Sequence, residues 1–416
     1  MKIVDGVQLH LIKNTILKTN HLTFRFSGVF SEKTVARRVL VAQMLATANA
    51  DYPTIKAFRE KLASLYGASL STKVSTKGLV HIVDIDIIFI KDKYAFTAEN
   101  LLEEVVTFLE SILFAPLVSV AQYQSKIFDT EKLNLIHYLE TDKEDSFYSS
   151  ELALRKLFYR NPTLQLSKYG DAELVTAENS FTAYQEFQKM LSEDQLDLFI
   201  AGEFDDYRML QVVNKMPFKP RQVNLTYYYR QDYQNVTREL LDKRPVNQSI
   251  LQLGFHHELR PQDDDYFALV VLNGLLGSFA HSLLFTEIRE KEGLAYTIAS
   301  HFDSFTGLFT IYAGLDKEQR NRLARLINKQ LADVRSGKFS MALVGQTKEM
   351  LKTNHRLLTD NVKFLIEQAY NAMYLEGMPS TEEWLNGVDA VTKSQLMRVA
   401  ASLKLQSLYF LEGNEA

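Results

Sequence analysis

The sequence predicts an α+β fold of two homologous halves, each a mostly antiparallel sheet packed with long helices. Three observations carry that expectation. Strand-period and helix-period segments follow one another in the same order twice, a glycine stops the second helix of each round, and an irregular stretch separates the rounds.

In the first round Leu22 to Gly28 alternates as a strand, and Lys33 to Ala48 reads as a helix with Val35, Val39, Ala42 and Leu45 on one face. A second helix from about Ile55 to Tyr66 stops at Gly67. Strands follow at Ser69 to Ser75 and Val80 to Ile90, the latter alternating through Val83, Ile85 and Ile87, and then long helices at about Ala98 to Leu113 and Val120 to Glu140. The second round starts with a strand at Ser249 to Phe255. Helices Asp265 to Leu276 and His281 to Glu292 come next, with the stop at Gly293. Strands Leu294 to His301 and Thr306 to Gly314 precede helices at about Lys317 to Val334, Met341 to Leu357 and Asn361 to Leu375. Between the rounds, Pro217 to Pro245 is rich in Tyr, Arg, Gln and Pro without a period. The expected organisation is an N-terminal half at 1–216, a linker at 217–247 and a C-terminal half at 248–416. Tyr227-Tyr228-Tyr229-Arg230 in the linker could form a binding patch; a strand-like linker is the better reading.

The 416 residues supply enough apolar material for more than one core. Basic residues number 47 against 51 acidic ones, a net charge of -4 spread along the chain, so no broad positive field favours nucleic acid. The chain has no cysteine, which excludes disulfides, thiolate metal sites and cysteine nucleophiles. Met1 to Gly6 lacks the apolar core of a signal peptide and no apolar run reaches the length of a membrane helix, so a cytoplasmic location without membrane contact is expected.

One segment is motif-grade. Leu275-Leu276-Gly277-Ser278-Phe279 is followed by Leu283-Leu284-Phe285-Thr286-Glu287-Ile288-Arg289-Glu290-Lys291-Glu292-Gly293-Leu294-Ala295-Tyr296. It resembles the C-terminal half of the pitrilysin and mitochondrial-processing-peptidase family of metallopeptidases. There a Gly-containing turn, a helix ending in Leu/Ile-Arg-Glu-Lys and a strand opening Gly-Leu-Ala-Tyr recur. The resemblance implies that Arg289 and Tyr296 hold the substrate backbone beside the scissile bond. A guanidinium offers fixed donors to a peptide carbonyl, and a phenol can hydrogen-bond a developing oxyanion. The plainer reading is that Arg289 with Lys291 complements the helix dipole while Tyr296 fills the sheet face beside Leu294 and Ile298.

The family holds zinc on the first helix of its N-terminal half through His-x-x-Glu-His, with a third ligand, a Glu, from a later helix. Counting back from Gly67, the matching residues here are Val39-Leu40-Val41-Ala42-Gln43. Val39 and Gln43 stand at the ligand positions and Ala42 at the base position, which leaves neither imidazole nor carboxylate. Tyr138 falls where the third ligand would stand, a match that needs inserted residues and could slip to His137. No metal or other cofactor is expected. Substitute sites read poorly: His137 and Glu140 form a solvated pair, His256 and His257 point to opposite faces of a strand, and Asp263-Asp264-Asp265 suits a helix N-cap.

The resemblance therefore implies a non-catalytic subunit that binds peptide and completes the active chamber of a zinc-bearing paralogue in a heterodimer; homodimerisation of the chain alone stays open. Two other readings stand beside it, a purely structural family member and a peptidase with a displaced metal site. Among relatives, the chain is similar to bacterial zinc-protease-like proteins associated with elongation factor P modification.

Overall fold

A computed structural model describes residues 1–96 and 100–414. It divides into two compact units: Met1–Glu140 with Leu166–Tyr227 and Leu365–Tyr370, and Thr141–Gln165 with Tyr228–Phe364 and Asn371–Ala416. The helix Ser146–Phe158 thus counts with the second unit, and part of the helix Val362–Tyr374 with the first.

The first unit is built on β1 (Lys2–Val4), β2 (Val7–Lys13), β3 (Thr19–Val29), β4 (Ser69–Lys77) and β5 (Val80–Ile90); a small hairpin, β6 (Val118–Ser119) and β7 (Gln122–Tyr123), stands apart, and β8 (Gln195–Gly202) completes the sheet. The order is β1-β2-β8-β3-β5-β4, antiparallel except for the β2–β8 pair. In the second unit β9 (Arg238–Arg244), β10 (Ser249–His256), β11 (Thr297–Asp303), β12 (Leu308–Leu315) and β13 (Lys404–Gly413) take the order β11-β12-β10-β13-β9, antiparallel except for β13–β9. Counted in chain order, β2, β3, β4, β5, β8 and β9, β10, β11, β12, β13 occupy the same places in their sheets. This identity of topology supports the duplication more strongly than the order of elements alone.

Alternation sorts the first sheet into two faces. Leu22, Phe24 and Phe26 of β3 and Val83, Ile85 and Ile87 of β5 enter one core with the helix Val35–Leu45. Full burial of each such apolar side chain stabilises by about 1.5–3 kcal/mol. Thr23, Arg25 and Ser27 point the other way, opposite Asp86, Asp84 and Ile82 in the antiparallel register. The second unit has an equivalent core of Leu251, Leu253 and Phe255 with Phe309, Ile311 and Ala313.

Several boundaries differ from the sequence expectation. The helix predicted from Val120 begins instead at Ser125, because Val120 and Ala121 both take positive φ, 50° and 60°, and turn the β6–β7 hairpin. The helix predicted from Ala98 is observed as Leu101–Phe114; Ala98 itself lies outside the described residues. Within the predicted linker, Arg238–Arg244 is a strand paired in parallel with β13. The helices predicted before and after Ser278 contain wide π-turns at Gly274–Ser278 and Phe285–Lys291. Gly67 and Gly293 have φ of 71° and 61° with nothing within 4 Å of a would-be Cβ, so both are required by backbone conformation and not by space. Among the described residues, no helix is long and apolar enough to cross a membrane.

Candidate functional site

The helix Val35–Leu45 carries the positions that the family spacing assigns to metal chemistry. Val39 is 3% exposed and Ala42 2%, both inside the first core. The Oε1 atom of Gln43 is buried without a hydrogen-bond partner. The helix is thus packed as a structural element, and its one buried charge is Arg38, beside Val39. Arg38 donates from Nε to Nδ1 of His81 at 3.0 Å, and its Nη2 lies 2.7 Å from Asp194 Oδ2. Gly28 permits that approach, since a Cβ there would sit 2.5 Å from Asp194 Oδ1. Burial, with Arg38 adjacent, pushes His81 down to about 3, so the ring is neutral; Nδ1 accepts from Arg38 and Nε2–H donates to the Lys168 carbonyl at 2.8 Å. Burial likewise pushes the Asp194 carboxyl up, with Arg38 opposing it.

Tyr138 lies on the helix Ser125–Glu144, whose buried residues are Phe128, Leu135 and Leu139. It is half-exposed and edge-on to Tyr169 at 5.6 Å. His137 and Glu140 are both exposed, 3.8 Å apart. From this helix Glu131 reaches the end of the helix Val35–Leu45, its Oε1 accepting from Thr47 at 3.4 Å. Among the described residues, no three His, Asp or Glu side chains converge on a point that could hold a metal ion.

In the second unit, Tyr296 and Arg289 are both exposed. The Arg289 guanidinium lies 4.7 Å from the Phe285 ring centroid, one turn back, while Lys291 pairs with Glu287 at 2.6 Å. Leu294 and Ile298 are buried but Tyr296 is 60% exposed, so it does not fill the sheet face with them. Its backbone N–H donates to the Gly314 carbonyl at 2.9 Å and fixes the start of β11. Its hydroxyl donates to Asp316 Oδ1 at 3.0 Å, a bond that holds the phenol above its ordinary value and hence protonated. The single hydroxyl hydrogen is committed to Asp316, so the phenol must release that carboxylate before it donates elsewhere.

Comparisons with known proteins give the family. Residues 183–351 match the family model described as the peptidase M16 inactive domain. A probable inactive metalloprotease, YmfF of Bacillus subtilis (strain 168), is 27% identical over 99% of this chain and 96% of its own length. The chain belongs to the M16 peptidase family. The crystal structure of a conserved protein from Enterococcus faecalis V583 superposes with a TM-score of 0.96 at 35% identity, covering 100% of this chain and 98% of that one. An M16 inactive domain from Pseudomonas fluorescens matches at TM-score 0.78 and 16% identity over 99% and 97% of the two chains, which shows the shared fold. Within the M16 family this chain is an inactive peptidase homologue.

Two groups escaped sequence reasoning. Asp316 lies twenty residues beyond Tyr296 and becomes its partner only through the β11–β12 pairing. Arg38 did carry a signal, a charge among the apolar residues Val35, Val39 and Ala42, but its partners His81 and Asp194 come from distant segments.

Proposed function

We propose that this M16 homologue is the non-catalytic half of a two-chain peptidase, binding an extended peptide through Arg289 and Tyr296 and completing the chamber of a zinc-bearing, His-x-x-Glu-His partner in the cytoplasm. The observation that carries the reading is the contrast within one chain. The assigned metal positions are filled with buried Val39 and Ala42, whereas Tyr296 stays exposed with its hydroxyl held by a carboxylate, an arrangement that core packing does not require. Arg289 supplies a planar fork of donors on the same short segment. Main-chain pairing along an open sheet edge would add affinity without demanding a particular sequence.

The scaffold reading has one observation in its favour: the stacking of Arg289 on Phe285 and the Lys291–Glu287 pair need no ligand. Co-purification from the native host decides between them, with zinc measured on the chain and on any complex. The subunit reading expects a zinc-bearing paralogue in the complex and none of the metal in the chain alone. One zinc per isolated chain would instead support the displaced-site reading.

A further inference from the structure

The stretch Tyr228 to Asp232, set aside above as linker, is built into a wall of the second unit. Tyr229 N–H donates to the Phe305 carbonyl at 2.8 Å, and the Tyr228 ring stacks on Phe305 at 5.4 Å. Gln231 bonds in three directions: its Nε2 donates to the Phe158 carbonyl at 2.9 Å, its Oε1 accepts from Arg160 N–H at 3.1 Å, and its own carbonyl lies 2.7 Å from His256 Nε2. These bonds shape one wall of an open cleft of about 750 Å³, within the range of small-ligand pockets. Three arginines line it, Arg160, Arg230 and Arg260.

Two of these are engaged elsewhere. Arg160 donates to the Asp232 carbonyl at 3.1 Å, and Arg260 lies over the Tyr228 ring at 5.1 Å. Arg230 differs. Its two terminal nitrogens are buried and have no hydrogen-bond partner, and its charge is disfavoured by that burial and by Arg260. The adjacent His257 is pushed down to about 3 by burial and by Arg230, so its ring is neutral and places no negative charge beside the guanidinium. Buried guanidinium nitrogens without an acceptor are costly, and an anion with two parallel oxygens is their geometric complement. The remaining charges of the lining, Asp232, Glu258 and Asp263, are exposed carboxylates. They would repel a dianion more than a monoanion, and they suit a ligand that carries an N–H or ammonium group close to its negative end.

We infer that this cavity binds the carboxylate of an amino acid or of a peptide end, with Arg230 as its fork. The site is separate from Arg289 and Tyr296, and it stands or falls independently of the subunit reading.

Calorimetric titration of the full chain with triglycine, triglycine amide, glycine and inorganic phosphate tests it, alongside Arg230→Met and Arg230→Lys. Triglycine is expected to bind, the amide at least about tenfold more weakly. Arg230→Met should weaken triglycine by at least about tenfold without lowering Tm, since it removes a guanidinium whose two terminal nitrogens have no hydrogen-bond partner. Arg230→Lys keeps the charge but loses the fork and should also bind more weakly. Glycine binding as tightly as triglycine assigns a free amino acid, and tighter triglycine assigns a peptide end; both support the site. Preference for phosphate, equal binding of the amide, unchanged binding in Arg230→Met, or no binding by any probe would overturn it. So would a marked fall in Tm or failure to fold in Arg230→Met, which would mean that Arg230 is paired within the protein.

Discussion

Arg25 and Asp84 stand opposite each other across β3 and β5 and close a two-bond fork, Nε to Oδ1 and Nη2 to Oδ2, each at 2.8 Å and both buried. Glu367, in the segment of Val362–Tyr374 that counts with the first unit, adds a bond from the same Nη2 at 2.5 Å, and Tyr370 bonds Ser27 and Tyr227, each at 2.8 Å. The second face of the first sheet is therefore held by charge and hydroxyl pairs where the first face is held by apolar packing.

Removing one partner of the fork should cost far more than removing both. Arg25→Met strands a buried carboxylate and is expected to lose about 3–5 kcal/mol in urea denaturation, whereas Arg25→Met/Asp84→Leu should recover much of that loss. Equal losses in the single and the double variant would mean that the fork is not the unit of stability.

Acid should weaken the fold in two steps. His81 and His257, each pushed down to about 3 by burial, take up protons more readily when unfolded, so their contribution is complete above about pH 6.5 and is lost as pH falls toward 3. Burial raises Glu367, but Arg25 and Lys77 outweigh it and hold the carboxyl at about 2, below its unfolded value; its contribution is present above about pH 4.5 and is lost on falling toward 2. His81→Asn should flatten the stability profile in the upper window and Glu367→Gln in the lower. Superimposable profiles from wild type and both variants would refute the assignment.

Gly67→Ala and Gly293→Ala should each cost about 1–2 kcal/mol, the cost of a left-handed backbone alone, because no atom crowds the added methyl group. Thermal or urea unfolding measures it, and a near-zero change at either site would show that the helix stop relaxes to another conformation.

Much of the fold was readable because its signals are local. Val80–Ile90 matched its predicted bounds, since alternation through Val83, Ile85 and Ile87 marks one buried face. Gly67 and Gly293 announced two left-handed stops. What escaped depends on pairing distant in sequence. Arg238–Arg244, with Arg238, Glu239, Asp242, Lys243 and Arg244 among seven residues, has no strand pattern of its own and becomes a strand by lying beside β13. Val120 and Ala121 look helical but turn a hairpin. At the site, the motif gave Arg289 and Tyr296, but not the bond to Asp316 or the cavity at Arg230.

Rebuilding the metal motif should fail. Val39 is in the core, so Val39→His with Gln43→His places polar rings where packing is tight and is expected to cost about 2–4 kcal/mol. The carboxylate that reaches this end of the helix, Glu131, bonds Thr47 at 3.4 Å, so the two introduced imidazoles alone are not expected to hold stoichiometric zinc by metal analysis. A variant that folds stably and holds one zinc per chain would show that the helix still preserves the geometry of a metal site.

The central claim, that the chain lends a substrate-binding segment to a partner's catalytic centre, is tested most directly by peptide cleavage in the reconstituted pair. Wild-type chain with the zinc-bearing paralogue is compared with Arg289→Ala/Tyr296→Ala, the two complexes being matched for assembly. A fall in kcat/KM of at least about tenfold is expected, with the complex intact. Cleavage unchanged by the double substitution would contradict it and leave the segment as scaffold.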